Sequence, residues 1–155
     1  YFYLYMNYMT KLWGPIVWSF FHVYAEQINS DFFIKNKKTC LNIILNICSS
    51  LPCPLCTNHA LNFLKQYNFK SIKTKEQLII FLYKFHNQRL NKPLYDFKNL
   101  DIYKRGKIIK ISEIMVKQLS KPLRNDNFIL GMFKTIAANK AHEFILKNKN
   151  NFTLL

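Results

Sequence analysis

The sequence predicts an all-α protein: a four- or five-helix bundle with an additional helical C-terminal extension. Glycine and proline are sparse, three and five in 155 residues, which disfavours a turn-rich all-β fold. Half of the residues are hydrophobic, so a chain of one domain's length can bury a core without disulfide staples. Apolar residues recur at helical rather than alternating spacing along most of the chain.

The first helix is expected from about Gly14 to Asn29. Pro15 suits a first helical turn, where a missing N–H costs nothing, and Val17, Phe21, Tyr24, Ala25 and Ile28 share a face. Asn29-Ser30-Asp31 reads as a break. A second helix covers roughly Phe33 to Ser49, on a stripe of Cys40, Leu41, Ile44, Leu45 and Cys48. A third begins near Cys53, with Pro54 in its first turn, and runs to about Tyr67. A fourth opens on a capping box, Thr74 with Gln77, and carries Leu78, Phe81, Leu82 and Phe85 on one face. Lys92-Pro93 ends it, because the residue before a proline resists the α region. These elements with short links make a bundle. Residues 10–103 form that domain and residues 104–155 the extension, which holds 11 basic and 3 acidic residues. Two helices are expected there, near Ile108–Leu119 and Phe128–Lys147. In the second, Phe128, Met132, Phe133, Ile136 and Ala137 repeat amphipathically and are expected to pack against the bundle.

The net charge is +15, but the 20 lysines outnumber arginines by far. Abundant Lys, Asn, Ile, Phe and Tyr point to AT-rich codons, whereas base-reading surfaces lean on the bidentate fork of Arg. Nucleic acid is therefore disfavoured as a partner, although a basic surface attracts acidic ones. No apolar run reaches the ~18 residues of a membrane span. The aromatic opening, Tyr1 to Met9, lacks the charged flank of a signal peptide, and Met9 is itself a candidate start.

Cys53-Pro54-Leu55-Cys56 is the motif with chemistry in it. Residues three apart on a helix share a face, so both sulfurs can close a disulfide. At a helix start the dipole and free amides favour a thiolate and make it a nucleophile. A lone CxxC leaves several classes open. A thioredoxin-type pair needs strands around it, and both flanks read as helix. A zinc site would need a fourth ligand beyond Cys53, Cys56 and His59. A redox-inactive basic module that binds nucleic acid or an acidic partner is the alternative of a different class. Cys40 and Cys48, eight residues apart on one helix, lie about 12 Å from each other, beyond disulfide reach, and read as buried thiols.

Three segments together resemble the Erv/ALR family of FAD-linked sulfhydryl oxidases. The first is Trp13-Gly14-Pro15-Ile16-Val17-Trp18 with His22. The second is Leu51-Pro52-Cys53-Pro54-Leu55-Cys56 with His59. The third is Asn87-Gln88-Arg89-Leu90-Asn91-Lys92-Pro93-Leu94-Tyr95-Asp96. The opening and the cysteine motif look most like the short forms encoded by large DNA viruses. Aligned without a gap, which also matches Leu90, Lys92, Pro93 and Tyr95, the third segment puts Tyr83 and Lys84 where the family has His and Asn; the other register, with three residues deleted, matches His86-Asn87 to that pair. The resemblance implies a helical bundle cradling FAD, with Trp13, Gly14, Trp18, His22, Tyr83, His86, Asn87, Leu90, Lys92, Tyr95 and Tyr103 as cofactor contacts. It implies that Cys56 faces the flavin and that Cys53, nearer solvent, exchanges with an incoming dithiol. Electrons would pass to FAD and then to oxygen, giving hydrogen peroxide. It also implies a thioredoxin-like dithiol carrier as partner, a homodimer, and a place in the host cytoplasm or the virion. Because the resemblance stops near Phe97, removal of the extension near Lys104 is expected to spare turnover of a small dithiol.

Overall fold

A computed structural model describes residues 2–89, 106–121 and 128–153, with side chains over 10–88, 106–121 and 131–153. Among these residues the chain forms seven α-helices and no strand. The helices are α1 Phe2–Gln27, α2 Ser30–Lys35, α3 Lys37–Cys48, α4 Pro54–Gln66, α5 Lys75–Arg89, α6 Ile108–Leu119 and α7 Phe128–Lys147. Single 3-10 turns follow α4 and α7, at Phe69–Ser71 and Lys149–Asn151. The predicted end of α5 at Lys92-Pro93 lies outside the described residues.

Local chemistry accounts for most boundaries. Asn29 caps α2 by accepting a hydrogen bond from Phe32 N at 2.9 Å. The second predicted helix is in fact two, broken at Asn36. There the backbone leaves the helix (φ −121°, ψ 27°), and both the amide and the side-chain Nδ2 donate to Phe32 O. Asn68, in the left-handed region (φ 50°, ψ 56°), ends the turn after α4, a conformation that asparagine tolerates. The capping box closes as expected on one side, with Gln77 N donating to Thr74 Oγ1 at 3.2 Å. Its reciprocal arm reaches one residue further back, where Lys73 N donates to Gln77 Oε1 at 2.8 Å.

Helix α1 begins twelve residues before the expected Gly14, so Pro15 lies inside it. Pro15 and Lys11 are both exposed, which leaves the carbonyl that Pro15 cannot satisfy on the water side of the helix. The helix is central. Phe20, Phe21, Tyr24 and Ile28 are fully buried, and Tyr24 donates to Cys40 O at 2.9 Å, tying α1 to α3.

The extension shares this core. Both of its helices form where predicted, and α6 packs along α1. A Cβ at Gly106 would sit 2.7 Å from Val23 Cγ2, so only glycine allows the chain entering α6 to come this close. Gln27 Nε2 donates to Gly106 O at the same crossing. After α7 the chain returns to α1. Asn29 N donates to Asn151 O at 2.7 Å and Thr153 N to Gln27 O at 2.9 Å, closing an isolated antiparallel bridge between Ile28 and Phe152. The predicted stripe on α7 is corrected. Met132, Phe133 and Ile136 are exposed, and the inward face is Lys134, Ala137, Ala138, Ala141 and Ile145. Small side chains let helices approach closely, so the alanine face is the one that fits against α3 and α6. The Lys134 ammonium donates to Lys121 O at 3.1 Å, just past the end of α6.

Candidate functional site

Cys53 and Cys56 are joined by a disulfide, with Cα atoms 5.1 Å apart. Cys53 is the N-cap of α4. Its extended backbone (φ −135°, ψ 112°) stops the chain from joining the helix, Pro54 occupies the first turn, and Cys56 N donates to Cys53 Sγ at 3.1 Å. The sulfur therefore stands where a serine or aspartate oxygen would cap a helix, in the field of free amides. The expected difference in exposure is not seen: Cys53 is 2% and Cys56 6% accessible. Leu51 and Pro52 pack the connection from α3 inward, while Pro54 and Leu55 face out.

The two sulfurs differ in what surrounds them. Cys56 lines a cleft of about 40 Å³ together with Trp13, Gly14, Trp18, Phe21, Cys48 and Phe85. Cys53 is not in that lining. Helix α1 presents Trp13, Gly14 and Trp18 to the cleft, while His22, one turn on, stacks against Trp18 with ring centroids 5.9 Å apart. Trp18 stacks on His86 of α5 with ring centroids 4.2 Å apart and planes 4° from parallel. His22 Nε2 and His86 Nδ1 lie 2.9 Å apart, so one ring donates and the other accepts. Burial, with His86 alongside, lowers the pKa of His22 to about 3, and burial lowers that of His86 to about 4. Both rings are neutral at physiological pH.

The remaining predicted residues divide. Tyr83 and Asn87 line a larger groove of about 830 Å³ along α5, with Phe63, Tyr67 and Phe81. Neither Tyr83, set at the family's His position by the gapless alignment, nor His86 lines the Cys56 cleft; His86 meets Trp18 and His22. Lys84 is exposed. Leu90, Lys92, Tyr95 and Tyr103 lie outside the described residues. His59 is exposed on α4, and among the described residues no three His, Cys, Asp or Glu side chains converge as a metal site would require.

Several cleft residues escape sequence reasoning, Phe85 and Cys48 among them. Phe85 meets Trp18 edge-on at 5.0 Å and stacks on Phe63 at 4.6 Å, and Cys48 lines the wall beside Cys56. Their helical stripes marked both as core, but only the crossing of α1, α3, α4 and α5 brings them to the redox pair. Burial pushes the Cys48 thiol up to about 12 and the Cys40 thiol up to about 11, so neither is a nucleophile at neutral pH.

The wall chemistry suits a flat heteroaromatic group. Trp13 Nε1 is buried and, among the described residues, has no hydrogen-bond partner, so its N–H is a donor that a ligand could satisfy. A Cβ at Gly14 would meet only Thr10 Cγ2, at an ordinary 3.4 Å. Packing thus does not require glycine here, although glycine costs a helix interior about 1 kcal/mol. A slot left clear for a ligand accounts for it. The cleft is smaller than a tricyclic ring system, so its walls must part to admit one.

The family model for Erv1/Alr matches residues 15–105. A relative from Invertebrate iridescent virus 3, bearing an FAD-linked sulfhydryl oxidase name, is 33% identical over 92 residues, 57% of this chain and 62% of its own. The FAD-linked sulfhydryl oxidase of African swine fever virus is 33% identical over 94 residues, 57% of this chain and 78% of its own. A similarly named Vaccinia virus protein is 28% identical over 85 residues, 55% of this chain and 86% of its own. The chain thus spans about three fifths of the iridovirus relative's length. No solved structure matches it.

Proposed function

The chain belongs to the Erv1/Alr family, and we propose that it is an FAD-linked sulfhydryl oxidase whose Cys53–Cys56 pair takes electrons from substrate dithiols. The observation that carries this is the placing of Cys56, and not Cys53, in the wall formed by Trp13, Gly14 and Trp18. Trp13, Gly14, Trp18, His22 and His86 would hold the flavin. Tyr83, Asn87, Leu90, Lys92, Tyr95 and Tyr103 would hold the rest of FAD. When bound, FAD supplies the two-electron acceptor that reoxidises the cysteines and delivers the electrons to oxygen as hydrogen peroxide.

The protein's part is thiol exchange. A substrate thiolate attacks Cys53 Sγ, and the S–S bond breaks with its electron pair on Cys56. The second substrate thiolate then attacks the substrate sulfur of this mixed disulfide and releases Cys53 as a thiolate. The Cys56 amide and the start of α4 stabilise that leaving thiolate. The substrate loses two electrons and two protons, and the pair is left as a dithiol. Because Cys53 is buried, an incoming thiol must first displace the residues that cover it. The proposal extends to a homodimer, a thioredoxin-like carrier as the physiological dithiol, and action in the host cytoplasm or the virion.

The purified protein should release FAD on denaturation and oxidise dithiothreitol with hydrogen peroxide formed in step. Cys56→Ser should abolish anaerobic bleaching of the flavin by dithiothreitol. A colourless protein that takes up no FAD on reconstitution, or full oxidase activity in both Cys53→Ser and Cys56→Ser, would overturn the proposal.

A further inference from the structure

Helix α7 is apolar on two faces. Beyond its alanine face, Met132, Phe133 and Ile136 are 45%, 54% and 40% exposed. Three large apolar side chains within five positions form a patch rather than scattered exposure. Phe133 and Ile136, with Lys140, wall a groove of about 400 Å³ whose opposite side is the end of α3, at Asn46, Ser49 and Ser50. Ser50 is three residues before Cys53, so the groove opens within about 11 Å of chain from the disulfide. The two serines already donate inside their helix, Ser49 Oγ to Leu45 O at 2.7 Å and Ser50 Oγ to Asn46 O at 2.8 Å. Ser49 is exposed, so its hydroxyl oxygen keeps a lone pair that can accept a backbone N–H from outside.

We infer that this groove docks an acidic segment of a protein dithiol substrate, anchored by apolar side chains and held so that its cysteines reach Cys53. The inference rests on the oxidase function proposed above. Charge decides the occupant. Among the described residues the groove presents Lys140 and no acidic side chain in its lining, so an acidic segment is its electrostatic complement. Such a segment is drawn in by that charge, its carboxylate meeting Lys140 while its apolar side chains cover Phe133 and Ile136.

The test uses the full chain and synthetic Cys-x-x-Cys peptides flanked by phenylalanine and either glutamate or lysine. The glutamate peptide should have the lower KM, by about tenfold. Phe133→Ser with Ile136→Ser should raise that KM about tenfold while leaving kcat and dithiothreitol turnover unchanged. Lys140→Glu should reverse the preference between the two peptides. Binding of serine-for-cysteine peptides, followed by fluorescence anisotropy, should move in parallel. An unchanged KM in all variants overturns the inference. So does a wild-type dimer that Phe133→Ser with Ile136→Ser dissociates in sedimentation, since the groove would then belong to a second copy. If dithiothreitol is not oxidised at all, the oxidase function fails, while groove-dependent binding of the serine peptides would still support docking.

Discussion

Two imidazoles that share a hydrogen bond in a buried wall fix the pH behaviour of this fold. An unfolded histidine takes up a proton near pH 6.5, whereas His22 and His86 in the folded chain resist it down to about 3 and about 4. Both pKa values are depressed on folding, so their contribution is fully present above about pH 6.5. It is lost progressively as the pH falls toward the folded values, with about one proton taken up per histidine on unfolding. Urea midpoints measured from pH 8 to pH 4 should fall across this window, and His22→Gln with His86→Gln should flatten the fall. An equal slope in the double variant would show that other groups carry the acid sensitivity. The Cys53–Cys56 disulfide was legible because its two residues lie three apart and one motif fixes their geometry. The histidine partner of Trp18 was not. His86 was read as a cofactor contact alongside Tyr83, but its stacking on Trp18 follows only from the packing of α5 on α1.

At the level of elements, the extension's two helices were legible to the residue because their periodic runs are bounded by sharp polar breaks. The start of α1 was misplaced because proline is a strong local signal, and an exposed proline can be absorbed by a helix whose other face is buried. The orientation of α7 was misjudged for a different reason. A hydrophobic periodicity weighs Met, Phe and Ile above Ala, whereas close helix packing favours Ala137, Ala138 and Ala141. The capping box of α5 gives a quantitative check on local chemistry. Thr74→Ala removes the acceptor for Gln77 N and should lower stability by about 1 kcal/mol, read as a shifted urea midpoint with an unchanged slope. An unchanged midpoint would mean that water replaces this cap without loss. The wall residues of the Cys56 cleft are remote from it in sequence, so dithiothreitol turnover at low denaturant should not change.

Across the whole molecule, α1 serves two sides. Trp18 lines the cysteine cleft and His22 stacks against Trp18, while Val23 meets the chain entering α6 at Gly106. Ile108, Met115, Leu119, Ile145 and Phe152, all in the extension, are buried in one core with Phe20 and Tyr24. Large apolar side chains contribute about 1.5–3 kcal/mol each on burial, so together they supply on the order of 10 kcal/mol against the entropy of ordering the extension. A domain's whole net stability is of that size. The boundary near Lys104, which marks where the family resemblance fades, is therefore not a boundary in the core. Removing residues 106–155 should not spare turnover of a small dithiol, as the sequence alone suggests. It should bare one side of α1 and loosen the helix that carries Trp18 and His22. The shortened chain should lose its cooperative thermal transition in circular dichroism, and its flavin with it. Met115→Ala is the milder probe, because a fully buried methionine cut to alanine costs about 2–5 kcal/mol and leaves the chain length alone. A shortened protein that melts cooperatively at the temperature of the full chain, together with a neutral Met115→Ala, would show that α6 and α7 are appended to the bundle and not part of what holds it together.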